Sequence, residues 1–85
     1  MSTVHVGFDV SADVLAAMKR DQVAFVRDLR LVAAVKWYEM QQISQARAAE
    51  LAGISRAEFI DALGRFGVSP FQVSVDELVR EAKGG

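Results

Sequence analysis

The sequence predicts a small, mainly helical domain with a helix-turn-helix and a short N-terminal strand. Apolar residues recur at helical spacing over most of the 85 residues, and a serine or aspartate that can cap a helix precedes each such run. Only residues 3–8 and 68–73 have the composition of strands. Since no linker, repeat or low-complexity segment interrupts the chain, we interpret residues 1–85 as one domain.

Three parts of this domain are expected to differ in role. They are residues 1–42 (a strand plus helices, for dimerisation), 43–67 (the helix-turn-helix) and 68–85 (a strand-like segment and a C-terminal helix).

The N-terminal part begins with an alternating segment. Val4, Val6 and Phe8 fall on one face of residues 3–8, the pattern of a half-buried strand. A lone strand must pair, either within the chain or with a second chain. Ser11 then predicts the start of a short helix that reaches about Lys19.

The longest helix is predicted from Gln22 to about Gln42, with Asp21 as its cap. In its second half, "LRLVAAVKWYEM", apolar residues cover most of the circumference, which predicts burial on more than one side. We therefore expect Trp37 and Tyr38 in the core, with the Tyr38 hydroxyl reaching water or a partner.

A helical hairpin follows. Ser44 can cap a helix to Ala52, Gly53 can supply a left-handed turn, and "SRAE" from Ser55 is a capping box that opens a helix ending at Gly67. Helix-turn-helix units need small or apolar residues where the helices touch. The inward positions that meet this demand are Ala48, Ala49, Ala52, Ile54, Phe59 and Ala62.

Outward residues of this hairpin are the candidate DNA-binding residues. They are Gln45, Arg47, Ser55, Arg56, Ala57, Ile60 and Asp61. Arg56 is the best candidate for a base contact, while Gln45 and Arg47 are expected near phosphates. Ile60 suits contact with thymine methyl groups or with another protein.

Charge limits this hypothesis. Ten basic and eleven acidic residues give a formal net charge of −1, unlike the basic balance of many nucleic-acid-binding domains. A DNA site must then be a local patch, and an ordinary helical hairpin remains an alternative. The competing function is a protein-interaction adaptor that binds and inhibits a partner without binding DNA.

The C-terminal part begins with "VSPFQV", which Pro70 restricts to a short extended or edge strand. Ser74 to Glu77 is a second capping box that predicts a final amphipathic helix. Its apolar residues could lie across a basic groove of a nuclease or pack back onto their own domain. The candidate partner-binding residues are Phe71, Val75, Leu78 and Val79.

The segment "LRLVAAVKWYEMQQISQARAAELAGISRAEFIDALGRFGVSPFQVSVDELVREA" resembles Uncharacterised Protein Family 0175, small prokaryotic proteins classed with helix-turn-helix antitoxins. The resemblance implies an antitoxin-like or regulatory role beside a PIN-like ribonuclease toxin. It extends to "TVHVGFDVSADVLAAM", which is similar to the strand-then-helix entry of such antitoxins. The hairpin residues that match the family pattern are Ser44, Ala48, Ala49, Leu51, Ala52, Gly53, Ser55, Glu58 and Phe59.

Other chemistry finds no support in the sequence. Without cysteine, disulfides, thiolate metal sites and cysteine nucleophiles are excluded, and the lone His5 has no spaced ligand partner. No nucleophile with a base, phosphate loop or carboxylate pair is recognisable, so we expect no enzyme, metal or cofactor. No targeting or membrane segment is evident, which predicts a cytoplasmic protein.

A hydrophobic content of 52% is high for so small a domain, which predicts a dimer or an obligate partner. Dimerisation through Val4, Val6 and Phe8, or through the helix around Trp37, would place two recognition helices about one DNA turn apart. The expected function is a dimeric regulator that binds operator DNA and a toxin-like nuclease.

Overall fold

A computed structural model describes residues 2–71 of the chain. These residues form four helices, α1 (Ala12–Met18), α2 (Gln22–Glu39), α3 (Gln45–Ala52) and α4 (Arg56–Arg65). The mainly helical prediction is therefore confirmed. None of the helices between residues 2 and 71 combines the length and apolar character needed to cross a membrane.

Each helix begins where the sequence predicted a cap. Ser11 Oγ accepts from the Asp13 backbone N–H at 3.2 Å, and Asp21 Oδ1 accepts from that of Ala24 at 2.8 Å. Ser44 caps α3 in the same way, and the Ser55 cap of α4 is described below. These side chains satisfy backbone donors that a helix leaves free in its first turn, so the helix starts are locally encoded.

Each helix ends in a left-handed residue. These are Lys19 (φ 54°), Gln41 (φ 61°), Gly53 (φ 74°) and Gly67 (φ 70°). In every case the next residue donates its N–H to the carbonyl five positions earlier, as Ile54 does to Ala49 at 3.1 Å, which is the Schellman arrangement. Gly67 thus terminates α4 as predicted, whereas α2 ends three residues before the predicted Gln42, because Gln41 takes a turn conformation that glycine usually supplies.

The hydrophobic core lies between the second half of α2 and the α3–α4 hairpin. Its buried residues are Ala34, Val35, Tyr38, Ala48, Ala49, Ala52, Phe59, Leu63 and Val68. Phe59 and Leu63 are the largest side chains that are fully enclosed. The Tyr38 ring meets the Phe59 ring edge to face, with centroids 5.8 Å apart and planes at 87°. This contact joins α2 to α4 within the core.

Several predictions about extended structure and burial are wrong. Residues 3–8 form no strand, and Val4, Val6 and Phe8 are exposed, because nothing in residues 2–71 pairs with them. Residues 68–71 likewise form no strand, while residues 72–73 of that prediction lie outside the described chain.

Trp37 is not a core residue, since 45% of it is exposed on the side of α2 that no other described element covers. The expectation that α2 is buried on more than one side fails in residues 2–71 for the same reason. Tyr38 is buried as predicted, but its hydroxyl donates to the Pro70 carbonyl of its own chain instead of reaching water or a partner.

Candidate nucleic-acid interface

The hairpin turn is fixed by the conformation of Gly53 and by an arginine from α2. Gly53 has φ 74°, where a side chain is strained. Arg30 Nε donates to the Leu51 carbonyl at 2.7 Å, so it satisfies one of the free carbonyls at the end of α3. A Cβ on Gly53 would lie 3.2 Å from Arg30 Nη2. Backbone geometry and side-chain crowding both favour glycine here.

The start of α4 is held by the predicted capping box. Ser55 Oγ accepts from the Glu58 N–H at 3.1 Å, and the Ser55 N–H donates to Glu58 Oε1 at 3.1 Å. The hydrogen bond from the Ser55 backbone, followed by that with its side chain, lowers the pKa of Glu58 from its ordinary 4.5. Glu58 is therefore ionised at neutral pH, and one of its carboxylate oxygens is engaged at the helix start.

The predicted DNA-binding residues lie at the surface of the hairpin. Six are exposed, namely Arg47, Ser55, Arg56, Ala57, Ile60 and Asp61, whereas Gln45 is half-buried. Those of α4 cluster in its first two turns, as the sequence predicted. Because α4 packs on the core through Phe59, Ala62 and Leu63, its opposite side is free to enter a groove.

Arg56 and Gln45 are joined by a hydrogen bond. Each is the first residue of its helix, and Arg56 Nε donates to Gln45 Oε1 at 2.7 Å. On its other side, Gln45 Nε2 donates to the Pro70 carbonyl at 3.1 Å and approaches the Tyr38 hydroxyl at 3.4 Å. The Tyr38 hydroxyl itself donates to the Pro70 carbonyl at 2.7 Å. Gln45 thus links an exposed arginine to the interior of the domain.

A shallow cavity of about 390 Å³ lies beside this network. Gln45 and Arg56 line one part of it, and Tyr38, Gln42 and Pro70 line another. The first residues of α3 and α4 therefore border the same depression.

The electrostatic balance of residues 44–66 is even. This segment contains three arginines and three acidic residues. The arginines are Arg47, Arg56 and Arg65, and the acidic residues are Glu50, Glu58 and Asp61. Arg47 Nη1 pairs with Glu50 Oε2 at 2.7 Å, so its charge is locally compensated. None of the three ion pairs in residues 2–71 involves Arg56. The start of α4 therefore carries a cation without a salt-bridge partner among the described residues.

A second surface consists of apolar residues on α2. Val26, Ala33 and Met40 recur every seven residues, with Leu29 and Trp37 between them. Helical periodicity places these five residues on the side of α2 away from its buried face, and we call them the α2 stripe. Val26, Leu29, Trp37 and Met40 are 37–51% exposed.

Of the four predicted partner-binding residues, the structure describes one. Phe71 is 86% exposed, while Val75, Leu78 and Val79 lie outside the described residues. Just before Phe71, Val68 is 7% exposed and belongs to the core. Val68 thus packs onto its own domain, whereas the helix predicted after Ser74, on which the two alternatives from the sequence depend, lies outside the described residues.

Sequence reasoning missed three contributors to this region, namely Tyr38 as a support of Gln45, Pro70 as its acceptor and Arg30 as the cap of α3. The Tyr38–Pro70 contact spans 32 positions and the Arg30–Leu51 contact spans 21. No local pattern in the sequence predicts such contacts.

Residues 2–71 contain no group of three or more His, Cys, Asp or Glu side chains that could hold a metal ion.

Comparison with known families gives one result. A model of an uncharacterised protein family (UPF0175) matches residues 2–84, nearly the whole chain. Comparisons with curated proteins and with solved structures gave no match.

Proposed function

The chain belongs to the uncharacterised protein family UPF0175, and from this premise and the geometry of its hairpin we propose that it is a helix-turn-helix DNA-binding regulator. It acts as the antitoxin-like component of a toxin–antitoxin pair in the cytoplasm. On this proposal it is a binding protein and not an enzyme, and its ligand is double-stranded DNA.

The observation that carries this proposal is the start of α4. At the start of this capped helix, Arg56 is exposed and has no salt-bridge partner in residues 2–71, while Phe59, one turn further along, packs in the core. A recognition helix contacts base edges with its N-terminal residues. Arg56 is the side chain at this position that can donate two hydrogen bonds to one base.

Phosphate contacts would come from the same edge of the hairpin. The backbone N–H groups at the starts of α3 and α4 and the guanidinium of Arg47 can donate to phosphate oxygens. Arg47 would exchange its exposed pair with Glu50 for a phosphate, at small cost, because surface ion pairs contribute only about 0–1 kcal/mol.

A second copy of the chain is the proposed occupant of the α2 stripe. The seven-residue spacing within the α2 stripe is typical of helices that pair along a seam. In a two-fold dimer the same surface of both chains forms the interface, so the stripe of one chain would pack against the stripe of the other. One hairpin contacts few bases, so a dimer would supply the second recognition helix. The exposed Val4, Val6 and Phe8 would add apolar contacts to the same interface.

The proposed protein partner is a PIN-like ribonuclease, bound through Phe71, Val75, Leu78 and Val79. Support comes from the exposure of Phe71 among the described residues. An aromatic side chain of this size, exposed to 86%, is an unusual surface feature that partner binding would bury.

The test of DNA binding compares Arg56→Ala with Arg65→Ala. Both remove one arginine from α4, but Arg65 lies at the far end of the helix, about 14 Å along the axis. Binding to the DNA upstream of the protein's own gene should weaken by ~1–3 kcal/mol for Arg56→Ala and much less for Arg65→Ala. Equal losses on operator and scrambled DNA would show instead that Arg56 contacts a phosphate.

A second candidate function is the protein-interaction adaptor, favoured by the even charge of residues 44–66 and by Ile60, which is 38% exposed beside Asp61. Ile60→Lys separates the two functions. The added positive charge should preserve or strengthen DNA binding, whereas it should abolish an apolar docking contact. Loss of DNA binding in this variant, with the fold intact, would show instead that the Ile60 side chain itself contacts DNA.

The proposed dimer is tested by Val26→Asp, which places a charge in the α2 stripe. Val32→Asp is the matched control, since Val32 is 49% exposed, close to the 45% of Val26, and lies about 120° around the same helix from it. Sedimentation equilibrium should show a dissociation constant raised at least tenfold for Val26→Asp only. A monomeric wild-type protein at high concentration would overturn the dimer.

A further inference from the structure

We propose that Gln45 is a positioning residue that holds the Arg56 guanidinium for end-on recognition of a guanine in the major groove. This inference rests on the proposed DNA-binding function and adds the base that is read and the residue that sets the geometry. It replaces the sequence-based expectation that Gln45 contacts a phosphate.

The orientation of the Gln45 amide follows from its inner partners. The Pro70 carbonyl can only accept, so the Gln45 amide must present its NH2 group there, at 3.1 Å. The Tyr38 hydroxyl gives its own proton to the same carbonyl at 2.7 Å, which leaves its oxygen as an acceptor near Gln45 Nε2. The Oε1 atom of Gln45 therefore faces outward, towards Arg56.

This orientation determines which donors of Arg56 stay available. Arg56 Nε donates to Gln45 Oε1 at 2.7 Å. A guanidinium can approach a base through Nε and one Nη group, or end-on through both Nη groups. With Nε engaged, the end-on pair of Nη1 and Nη2 is the one that remains.

Two parallel donors select one base. Guanine presents the O6 and N7 acceptors together in the major groove, whereas adenine presents one acceptor and one donor. An Arg56 side chain held at Nε would therefore favour guanine over adenine at the position it reaches. Holding the side chain before binding also reduces the conformational entropy that it loses in the complex.

The backbone on both sides of the pair is firmly placed. Gln45 follows the Ser44 cap and Arg56 follows the Ser55 cap, so each side chain starts from the first residue of a capped helix. Gln45 is also half-buried, whereas Arg56 is exposed. This asymmetry is what a positioning residue and the residue that it positions should show.

The experiment measures binding to the DNA upstream of the protein's own gene, with single guanines replaced by 7-deazaguanine, which lacks the N7 acceptor. Wild-type protein should lose fivefold or more in affinity at one guanine of each half-site, and Arg56→Ala should show no such loss. Gln45→Ala should lose most of this guanine dependence while it still binds. Gln42→Ala, a neighbouring glutamine that lines the same cavity, is the control and should behave as wild type.

Gln45→Met, with a side chain of similar length and no amide, gives a second test if the alanine variant is poorly folded, and circular dichroism checks the fold of each. The double variant Gln45→Ala with Arg56→Ala should bind no more weakly than Arg56→Ala alone, because the two act as one unit.

Three results would overturn the proposal. Gln45 variants that lose equal affinity on operator and scrambled DNA would make Gln45 a phosphate contact. Wild-type binding that prefers the upstream DNA but responds to no 7-deazaguanine substitution would reject the guanine contact and leave the DNA-binding function standing. If the wild-type protein shows no preference for the upstream DNA, the proposed DNA-binding function is itself refuted, and this inference with it.

Discussion

The hairpin half of the molecule, residues 34–68, and the amino-terminal half, residues 2–33, contain similar proportions of apolar residues but use them differently. In the hairpin half, the apolar side chains of three helices meet around Phe59 and are buried. In the amino-terminal half, Val4, Val6 and Val23 are each more than 75% exposed, and α1 has no buried residue.

The difference shows that helix formation and core formation are separate requirements. Both halves have well-capped helices, but only the hairpin half closes a core within residues 2–71. Stability of a helix in a protein comes mostly from packing of its apolar face. We therefore attribute the folding stability of the described chain to the hairpin half, and the proposed dimer contacts to the amino-terminal half together with Trp37 and Met40 of the α2 stripe.

The largest contrast is expected between two phenylalanines. Phe59→Ala removes a fully buried ring and should lower the free energy of unfolding by ~3–5 kcal/mol. Phe8, which is 66% exposed, should contribute less than about 0.5 kcal/mol when it is changed to alanine. Urea unfolding at a protein concentration where the chain is monomeric measures both, and equal losses would contradict the division into two halves.

Two glycines of the hairpin should respond to alanine with opposite signs. Gly53→Ala places a Cβ at φ 74° and against Arg30, and should destabilise by about 1–2 kcal/mol. Gly64 lies within α4 with open space around it, so Gly64→Ala should stabilise by about 0.5–1 kcal/mol. Thermal unfolding followed by circular dichroism gives both signs, and stabilisation by Gly53→Ala would show that the turn is not strained.

Two serine caps test the same difference, because each serine hydroxyl accepts from a backbone N–H of the first turn, although only Ser55 belongs to a capping box and only its helix packs in the core. Ser55→Ala should reduce the free energy of unfolding by about 1 kcal/mol. Ser11→Ala should leave it almost unchanged, since α1 buries nothing and can fray without disturbing the core. Urea titration with both variants decides this, and an equal loss at Ser11 would mean that α1 unfolds together with the hairpin.

The smallest effect is a pH dependence from Glu58. Its pKa is lowered in the folded chain by the hydrogen bonds to Ser55, so it stabilises the fold above its ordinary pKa of 4.5. That contribution is lost as the pH falls below 4.5 through the lowered value. Glu58→Gln should flatten stability against pH in this acidic range, measured by urea unfolding between neutral pH and pH 3, and an unchanged slope would contradict it.

Local features of the fold were predictable, and features that depend on distant contacts were not. Ser11, Asp21, Ser44, Ser55 and Gly53 announce helix boundaries because capping and left-handed turns depend on neighbouring residues only. The strand at residues 3–8 was predicted from alternation alone, and alternation does not supply a partner strand.

At the candidate site, the exposure of Arg56 was predictable from its place in the first turn of α4, but the role of Gln45 was not. Its inner partners Tyr38 and Pro70 are separated by 32 positions, and their meeting depends on how Val68 packs against the core. The exposure of Trp37 could not be predicted either. An apolar helix face has the same sequence pattern whether it packs within its own chain or against another chain.

The measurement that tests the central claim most directly is fluorescence-anisotropy binding to the DNA upstream of the protein's own gene, against scrambled DNA, at two salt concentrations. Our account predicts tighter binding to the upstream DNA and an affinity that falls steeply as salt rises, because phosphate contacts release counterions. A folded protein with no sequence preference and no salt-sensitive binding would contradict it.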